Sequence, residues 1–187
     1  MKISKSHLLD GKTISITGSK SISNRLLILG KLFGDLKIEN LSNSQDTQLL
    51  QKALNEDAEI VDIHHAGTAM RFLTSFYAIQ EGRKTILTGS ERMKQRPIKP
   101  LVDALRELGA EINYLENEGF PPLEIQGKKI EKNFVKIPAN ISSQFITSLL
   151  LIGASLENDL EIELQGEITS RSYIKMTLKI LKDIGVE

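Results

Sequence analysis

One pattern recurs three times along this 187-residue chain: a helix apolar on nearly every side, a short strand, then a helix apolar on one side only. The first copy opens at Ser21-Ile22-Ser23-Asn24-Arg25 and runs apolar through Phe33. It turns at Gly34-Asp35, alternates as a strand from Leu36 to Leu41, and starts its second helix near Asp46. The second copy opens at Gly67-Thr68-Ala69-Met70-Arg71, passes through a strand from Lys84 to Thr88, and starts its second helix at Pro97. The third opens at Ser142-Ser143-Gln144, uses a strand from Leu160 to Leu164, and ends in a helix bearing Ile174, Leu178 and Leu181. From Ser21 to Asp46, Thr68 to Pro97 and Ser143 to Arg171 the offsets are 25, 29 and 28 residues. Chance rarely sets three such units in register.

The two kinds of helix must sit in different places. Leu26-Leu27-Ile28-Leu29, Phe72-Leu73 with Phe76-Tyr77, and Leu149-Leu150-Leu151-Ile152 leave no polar face, so those helices belong inside. The second helices carry Gln48, Gln51 and Lys52; Lys99, Asp103, Arg106 and Glu107; and Lys175, Lys179, Lys182 and Asp183, so they lie on a surface. The expected fold is therefore α/β, with three central helices enclosed by sheet and outer helices. A ββ segment, Leu123 to Gln126 and Phe134 to Ile137, follows the second unit, whereas only Ala58 to His64 offers a strand between the first two. Ile184-Gly185-Val186-Glu187 repeats the Leu108-Gly109-Ala110-Glu111 passage from helix to strand, so the chain stops where a strand is due and reads as truncated.

Composition removes several function classes. With 24 basic and 24 acidic side chains there is no cationic excess for a nucleic-acid binder. The absence of cysteine excludes disulfides, thiolate metal sites and a cysteine nucleophile. The most apolar stretch, Phe145 to Leu156, falls short of the roughly 20 residues that a membrane helix needs. The N-terminus lacks the apolar run of a signal peptide. A cytoplasmic protein with no membrane and no nucleic-acid partner is expected.

Chemistry concentrates where the inner helices begin. Gly18-Ser19-Lys20-Ser21 with Arg25, Ala66-Gly67-Thr68 with Arg71, and Asn140-Ile141-Ser142-Ser143-Gln144 each combine small residues, hydroxyls or cations. Free N–H groups at a helix start attract anions, and Lys or Arg add charge. A single serine at such a place is usually only a cap. Three together point to one site for a phosphate or carboxylate compound. Arg92-Met93-Lys94-Gln95-Arg96 precedes a helix start and aims Arg96 toward the same end.

These blocks, with Leu87-Thr88-Gly89 and Pro97-Ile98, resemble the EPSP synthase family (3-phosphoshikimate 1-carboxyvinyltransferases) over about Lys12 to Glu187. The resemblance implies an inside-out α/β barrel domain of βαβαββ repeats with buried central helices. Residues 1–12 would pair with a second domain, and 13–187 would form the first domain with its third repeat incomplete. It also implies transfer of the enolpyruvyl group of phosphoenolpyruvate to the 5-hydroxyl of shikimate 3-phosphate, with release of phosphate, on the route to chorismate and aromatic amino acids. No metal or organic cofactor is implied, and the full-length protein would be a monomer. By position, Lys20 resembles the catalytic lysine touching both substrates. Ser21, Arg25, Ser142, Ser143, Gln144, Ser170 and Tyr173 resemble the shikimate 3-phosphate cradle, with Gln144 also near phosphoenolpyruvate. Gly67 and Arg96 resemble the glycine and bidentate arginine at phosphoenolpyruvate. The general-base aspartate and its partner glutamate would lie in the other domain.

Two departures stand out. His65 replaces an asparagine frequent before Ala-Gly-Thr, and Phe72 replaces a proline. UDP-N-acetylglucosamine enolpyruvyl transferases share the implied fold but typically carry a cysteine in the loop held here by Ser90 to Gln95. RNA 3′-phosphate cyclases need a nucleotidylated histidine in a context these histidines lack. A non-catalytic module that binds phosphate compounds is the remaining alternative.

Overall fold

The computed structural model describes residues 2, 4–7, 10–34 and 36–186. The second repeat is built in full. Strand β1 (Ile60–Asp62) leads through helix α3 (Gly67–Ala78) to β2 (Lys84–Thr88), and the two strands pair in parallel. A short helix α4 (Glu91–Lys94) and then α5 (Lys99–Leu108) return the chain to β3 (Glu111–Tyr114) and β4 (Leu123–Gln126). β4 pairs antiparallel with both β2 and β3, giving a four-stranded sheet of order β1-β2-β4-β3. Val61, Leu87, Leu123, Ile125 and Ile112 bury one face of it. α3 packs on β2 and β4 and is buried along almost its whole length.

The third repeat starts again: β5 (Phe134–Pro138), helix α6 (Ser143–Gly153), β6 (Glu161–Gln165) and helix α7 (Arg171–Asp183), with β5 and β6 parallel like β1 and β2. Before both lies the first repeat, helices α1 (Lys20–Phe33) and α2 (Gln45–Asn55).

Several sequence expectations change. The alternating stretch Leu36 to Leu41 is not a strand; its Asp35 neighbour lies outside the described residues. Alternation makes a strand only where another edge supplies hydrogen bonds, and among the described residues no strand pairs with this stretch. Instead Asn40 adopts φ +53° and its carbonyl accepts the Gly18 N–H at 3.1 Å. A Cβ at Gly18 would overlap that carbonyl oxygen, so the position requires glycine. Without a sheet over it, α1 is not enclosed: Ile22 and Phe33 are exposed. The second helix of the middle repeat begins at Lys99, not Pro97; Ile98 is its N-cap and Pro100 takes the early helical position. The Leu123–Gln126 and Phe134–Pro138 strands do not pair with each other but belong to different sheets. In α7, Ile174 and Leu181 are buried while Leu178 stays exposed. Among the described residues, no helix is long and apolar enough to cross a membrane.

Hydrogen bonds stitch the central helices together. Ser148 on α6 donates to the Arg71 carbonyl on α3 at 2.7 Å, which uses its one proton. Ser75 on α3 must therefore donate to Ser148 across their 2.6 Å contact. Tyr77 donates to the Ala53 carbonyl at 2.9 Å, fastening α2 to α3; burial pushes its phenol up to about 12, against the opposing pull of Arg83.

Candidate functional site

The starts of α1, α3, α6 and α7 gather on one side of the molecule, and specific bonds hold them there. Arg25, almost fully buried in α1, donates through Nη1 to the Ser21 carbonyl at 2.6 Å. Its Nε reaches Thr177 Oγ1 on α7 at 2.8 Å, and Nη2 reaches Thr147 Oγ1 on α6 at 3.2 Å and the Tyr173 carbonyl at 3.4 Å. Its guanidinium also lies 5.7 Å from the Phe72 ring centroid on α3 and 5.9 Å from that of Tyr173. One side chain thus ties four helices. Burial lowers the Arg25 pKa to about 10, opposed by Tyr173, which leaves it charged at neutral pH.

The starts of α3 and α6 touch directly: Gln144 Nε2 donates to Thr68 Oγ1 at 3.3 Å. The loop ahead of α7 joins the loop ahead of α6 where Thr169 N–H and hydroxyl both donate to the Ala139 carbonyl, at 3.1 and 3.2 Å. That contact ties the loop carrying the exposed Ser170, with φ +52°, to the loop that leads to Ser142 and the buried Ser143.

Arg96 closes the α3 end. Its guanidinium presses on Gly67 so closely that a Cβ there would collide with it. Arg71, buried one turn along α3, donates to the Gly67 carbonyl at 3.0 Å and the Pro97 carbonyl at 3.1 Å, fixing both partners. Burial first, and repulsion from Arg96 second, bring the Arg71 pKa down to about 10. Beside them opens a cavity of about 500 Å³ lined by His65, Ser90, Arg92, Met93 and Arg96. At the α1 end Lys20 is half exposed, with Asp46 Oδ1 at 3.4 Å.

Most of these helix starts lack a side-chain cap, as does the outer helix α5, whose N-cap is Ile98. Ser44 and Ser90 accept from the N–H groups of Thr47 and Met93 and cap α2 and α4. Ser19 and Ser170 do not cap α1 and α7, and α3 begins at Ala66, which cannot. Only Ser142 caps its helix, accepting from Gln144 N–H at 3.2 Å. None of these four helices has an acidic residue in its first turn, whereas α2 has Asp46 and α4 has Glu91. Uncapped N–H groups without a compensating carboxylate suit an external anion.

Lys20, Ser21, Gly67, Arg96, Ser142, Ser143, Gln144, Ser170 and Tyr173 therefore lie around one face, with Arg25 beneath them, bonded to protein groups. In the sequence Arg92 reads as one charge in a solvated run and His65 as a loop residue; in the fold both line the cavity with Arg96. Their signal was position, beside Arg96 and just before Gly67. Among the described residues, no group of three or more His, Asp or Glu is placed to hold a metal ion.

A family model described as EPSP synthase (3-phosphoshikimate 1-carboxyvinyltransferase) matches residues 51–187. The 3-phosphoshikimate 1-carboxyvinyltransferase of Bacteroides fragilis strain YCH46 is 53% identical over 174 residues, covering 92% of this chain and 42% of that protein. The protein of the same name from Haemophilus influenzae strain Rd is 43% identical over 204 residues, covering 94% and 47%. A solved EPSP synthase from Acinetobacter baumannii matches with a TM-score of 0.73 at 20% identity, over 92% of this chain and 43% of that one. The structural likeness shows the enolpyruvyl transferase fold, an inside-out α/β arrangement around central helices. The chain spans less than half the length of these relatives.

Proposed function

Because the chain belongs to the EPSP synthase family, we propose that it supplies the shikimate 3-phosphate half of an enolpyruvyl transfer site, together with part of the phosphoenolpyruvate site. Residues 13–187 are the first domain in this reading, and 1–12 the segment that meets a second. The observation behind it is the gathering of the uncapped starts of α1 and α3 and the Ser142-capped start of α6 around Lys20, Gly67, Arg96 and the Ser142-Ser143-Gln144 run.

The roles follow from reach and charge. Ser142, Ser143 and Ser170 offer hydroxyls to the sugar-like phosphate, and the α6 and α7 starts add N–H groups. Tyr173 forms a wall beside them, and Arg25 holds Ser21 and Tyr173 in place through its bonds to their carbonyls. Arg96 provides a planar pair of donors for the carboxylate or phosphate of phosphoenolpyruvate. Gly67 leaves room for that guanidinium to lie flat against the α3 start. Lys20, on the opposite rim, neutralises the developing charge as the 5-hydroxyl attacks the protonated alkene and a tetrahedral ketal forms, before phosphate leaves. Proton transfer to the alkene carbon and from the hydroxyl needs positioned acid and base groups. We assign those to the remainder of an enzyme of the relatives' length. Such an enzyme would need neither metal nor organic cofactor, and its ligands are small anions.

Calorimetry of the 187-residue chain with shikimate 3-phosphate tests this reading. Binding that is lost in Ser143→Ala and Lys20→Ala supports it, and no binding by a folded sample refutes it. The purified chain is expected to show no enolpyruvyl transfer; detectable turnover would overturn the division of roles.

A further inference from the structure

His64 and His65 join β1 to α3, and His65 lines the cavity that Arg92 and Arg96 also line. His64 sits at φ +48°, a left-handed conformation that non-glycine residues rarely adopt. Two bonds hold it there. Its N–H donates to Asp62 Oδ1 at 2.7 Å, and its carbonyl accepts the Ser90 N–H at 3.0 Å. The rings meet edge to face at 89°, with Nδ1 of one 2.8 Å from Nδ1 of the other.

That contact restricts the protons the pair can hold. Two bare nitrogens repel at 2.8 Å, and so do two N–H groups, so one Nδ1 donates and the other accepts. In the neutral pair the donating ring then has a bare Nε2, whichever ring it is. One added proton fills it and keeps the contact intact. A second would set two N–H groups head to head and break it. The pair has room for one proton.

We propose that His65, backed by His64, is a proton-linked anion contact of this cavity: a doubly charged phosphate oxyanion binds with uptake of one proton from solvent onto the imidazole pair. This deepens the function proposed above and rests on the cavity being an anion site. The groups that face the pair set the sign. Arg92 and Arg96 share the cavity wall, Arg71 lies behind Arg96, Lys94 and Glu91 belong to α4, and Asp62 is bonded to the His64 backbone. The cations oppose a further positive charge in the empty cavity, and a dianion seated among them favours it. Anion and proton therefore assist each other's binding, by the same factor in each direction.

Sulfate is the probe, because its charge is fixed over the range in which imidazole titrates, about pH 5 to 8. Calorimetry on the full chain should show sulfate binding about tenfold tighter near pH 6 than near pH 8, the equivalent of about one unit of proton affinity. Buffers of differing ionisation enthalpy should report uptake of about half a proton per sulfate near pH 7, the average that a tenfold change over two pH units requires. His65→Gln and His64→Ala should each reduce the pH effect to less than about twofold, while His7→Gln, the third histidine, leaves it whole. Ring nitrogen spectra near neutral pH should show one Nδ1–H and one Nε2–H tautomer. A flat pH profile, no sulfate binding, a full effect surviving in His65→Gln, or two Nε2–H tautomers would each overturn the proposal. Shikimate 3-phosphate is titrated separately: if it fails to bind while the sulfate profile holds, the substrate assignment falls and the proton link stands.

Discussion

Helices α1 and α3 open on the same face with similar sequence signals, yet the protein treats them differently. α3 has sheet on one side and α2, α5 and α6 around it, so nearly every residue from Gly67 to Ala78 is buried. α1 packs on α2, α3, α6 and α7 but among the described residues has no strand of its own, and Ile22 and Phe33 face solvent. The start of α3 is correspondingly fixed: Arg71 grips Gly67 and Pro97, and Arg96 lies flat against it. The start of α1 is held mainly from beneath by Arg25, and its Lys20 has one partner at 3.4 Å. The two helix starts therefore give the candidate site one rigid rim and one compliant one. Enclosure by sheet, rather than helix composition, makes the difference.

The largest expected effect tests that enclosure. Leu73→Ala in α3 removes a side chain with no exposure and should cost about 3 kcal/mol in urea unfolding, whereas Ile22→Ala, 40% exposed in α1, should cost less than about 0.5 kcal/mol. Equal losses would erase the contrast. Next comes Arg25→Met, which fills the space but removes the guanidinium donors to the Ser21 and Tyr173 carbonyls and to two threonine hydroxyls, with the Tyr173 carbonyl keeping its bond from the Thr177 hydroxyl. About 2 kcal/mol of destabilisation is expected, with faster hydrogen exchange in α1 and the first turn of α7 and little change in α3. Uniform loosening would show that the two rims are not separable. Gly67→Ala drives the Arg96 guanidinium off the α3 start. Anion binding should weaken about tenfold, about 1.4 kcal/mol, with the unfolding midpoint almost unmoved. Smallest is the pair of serines. Ser44→Ala removes a working cap and should cost about 1 kcal/mol, and Ser19→Ala, which caps nothing, should be close to neutral. A clear stability loss in Ser19→Ala would mean that its hydroxyl does structural duty.

The same contrast explains what could be read from the chain alone. α3, β2 and α6 announce themselves because all-round apolar helices and buried strands have strong local patterns. The Leu36 to Leu41 stretch has an equally good alternation but no neighbour to pair with, a fact that lies elsewhere in the chain. The pairing of β4 with β2, and not with β5, is likewise non-local. α5 starts two residues later than Pro97 suggests, because the Pro97 carbonyl accepts from Arg71 and Ile98 N–H donates to the Gly119 carbonyl at 2.8 Å. At the site, the gathering of the helix starts followed from the repeat. Arg25 is engaged by four protein oxygens that its local sequence does not announce; its burial comes from α6 and α7, more than a hundred residues away. His65 has no pattern at all, and only its ring partner and the cavity wall give it meaning.

The uncapped starts of α1, α3 and α7 have a consequence for how such a pocket ages. Attraction generated by peptide groups is encoded by no particular codon. Lysines and arginines can be exchanged, modified or neutralised one at a time, while the main chain's share persists until the helix itself unwinds. A lineage can thus rework the side chains that choose among ligands and still begin, each time, from a surface that draws negative charge.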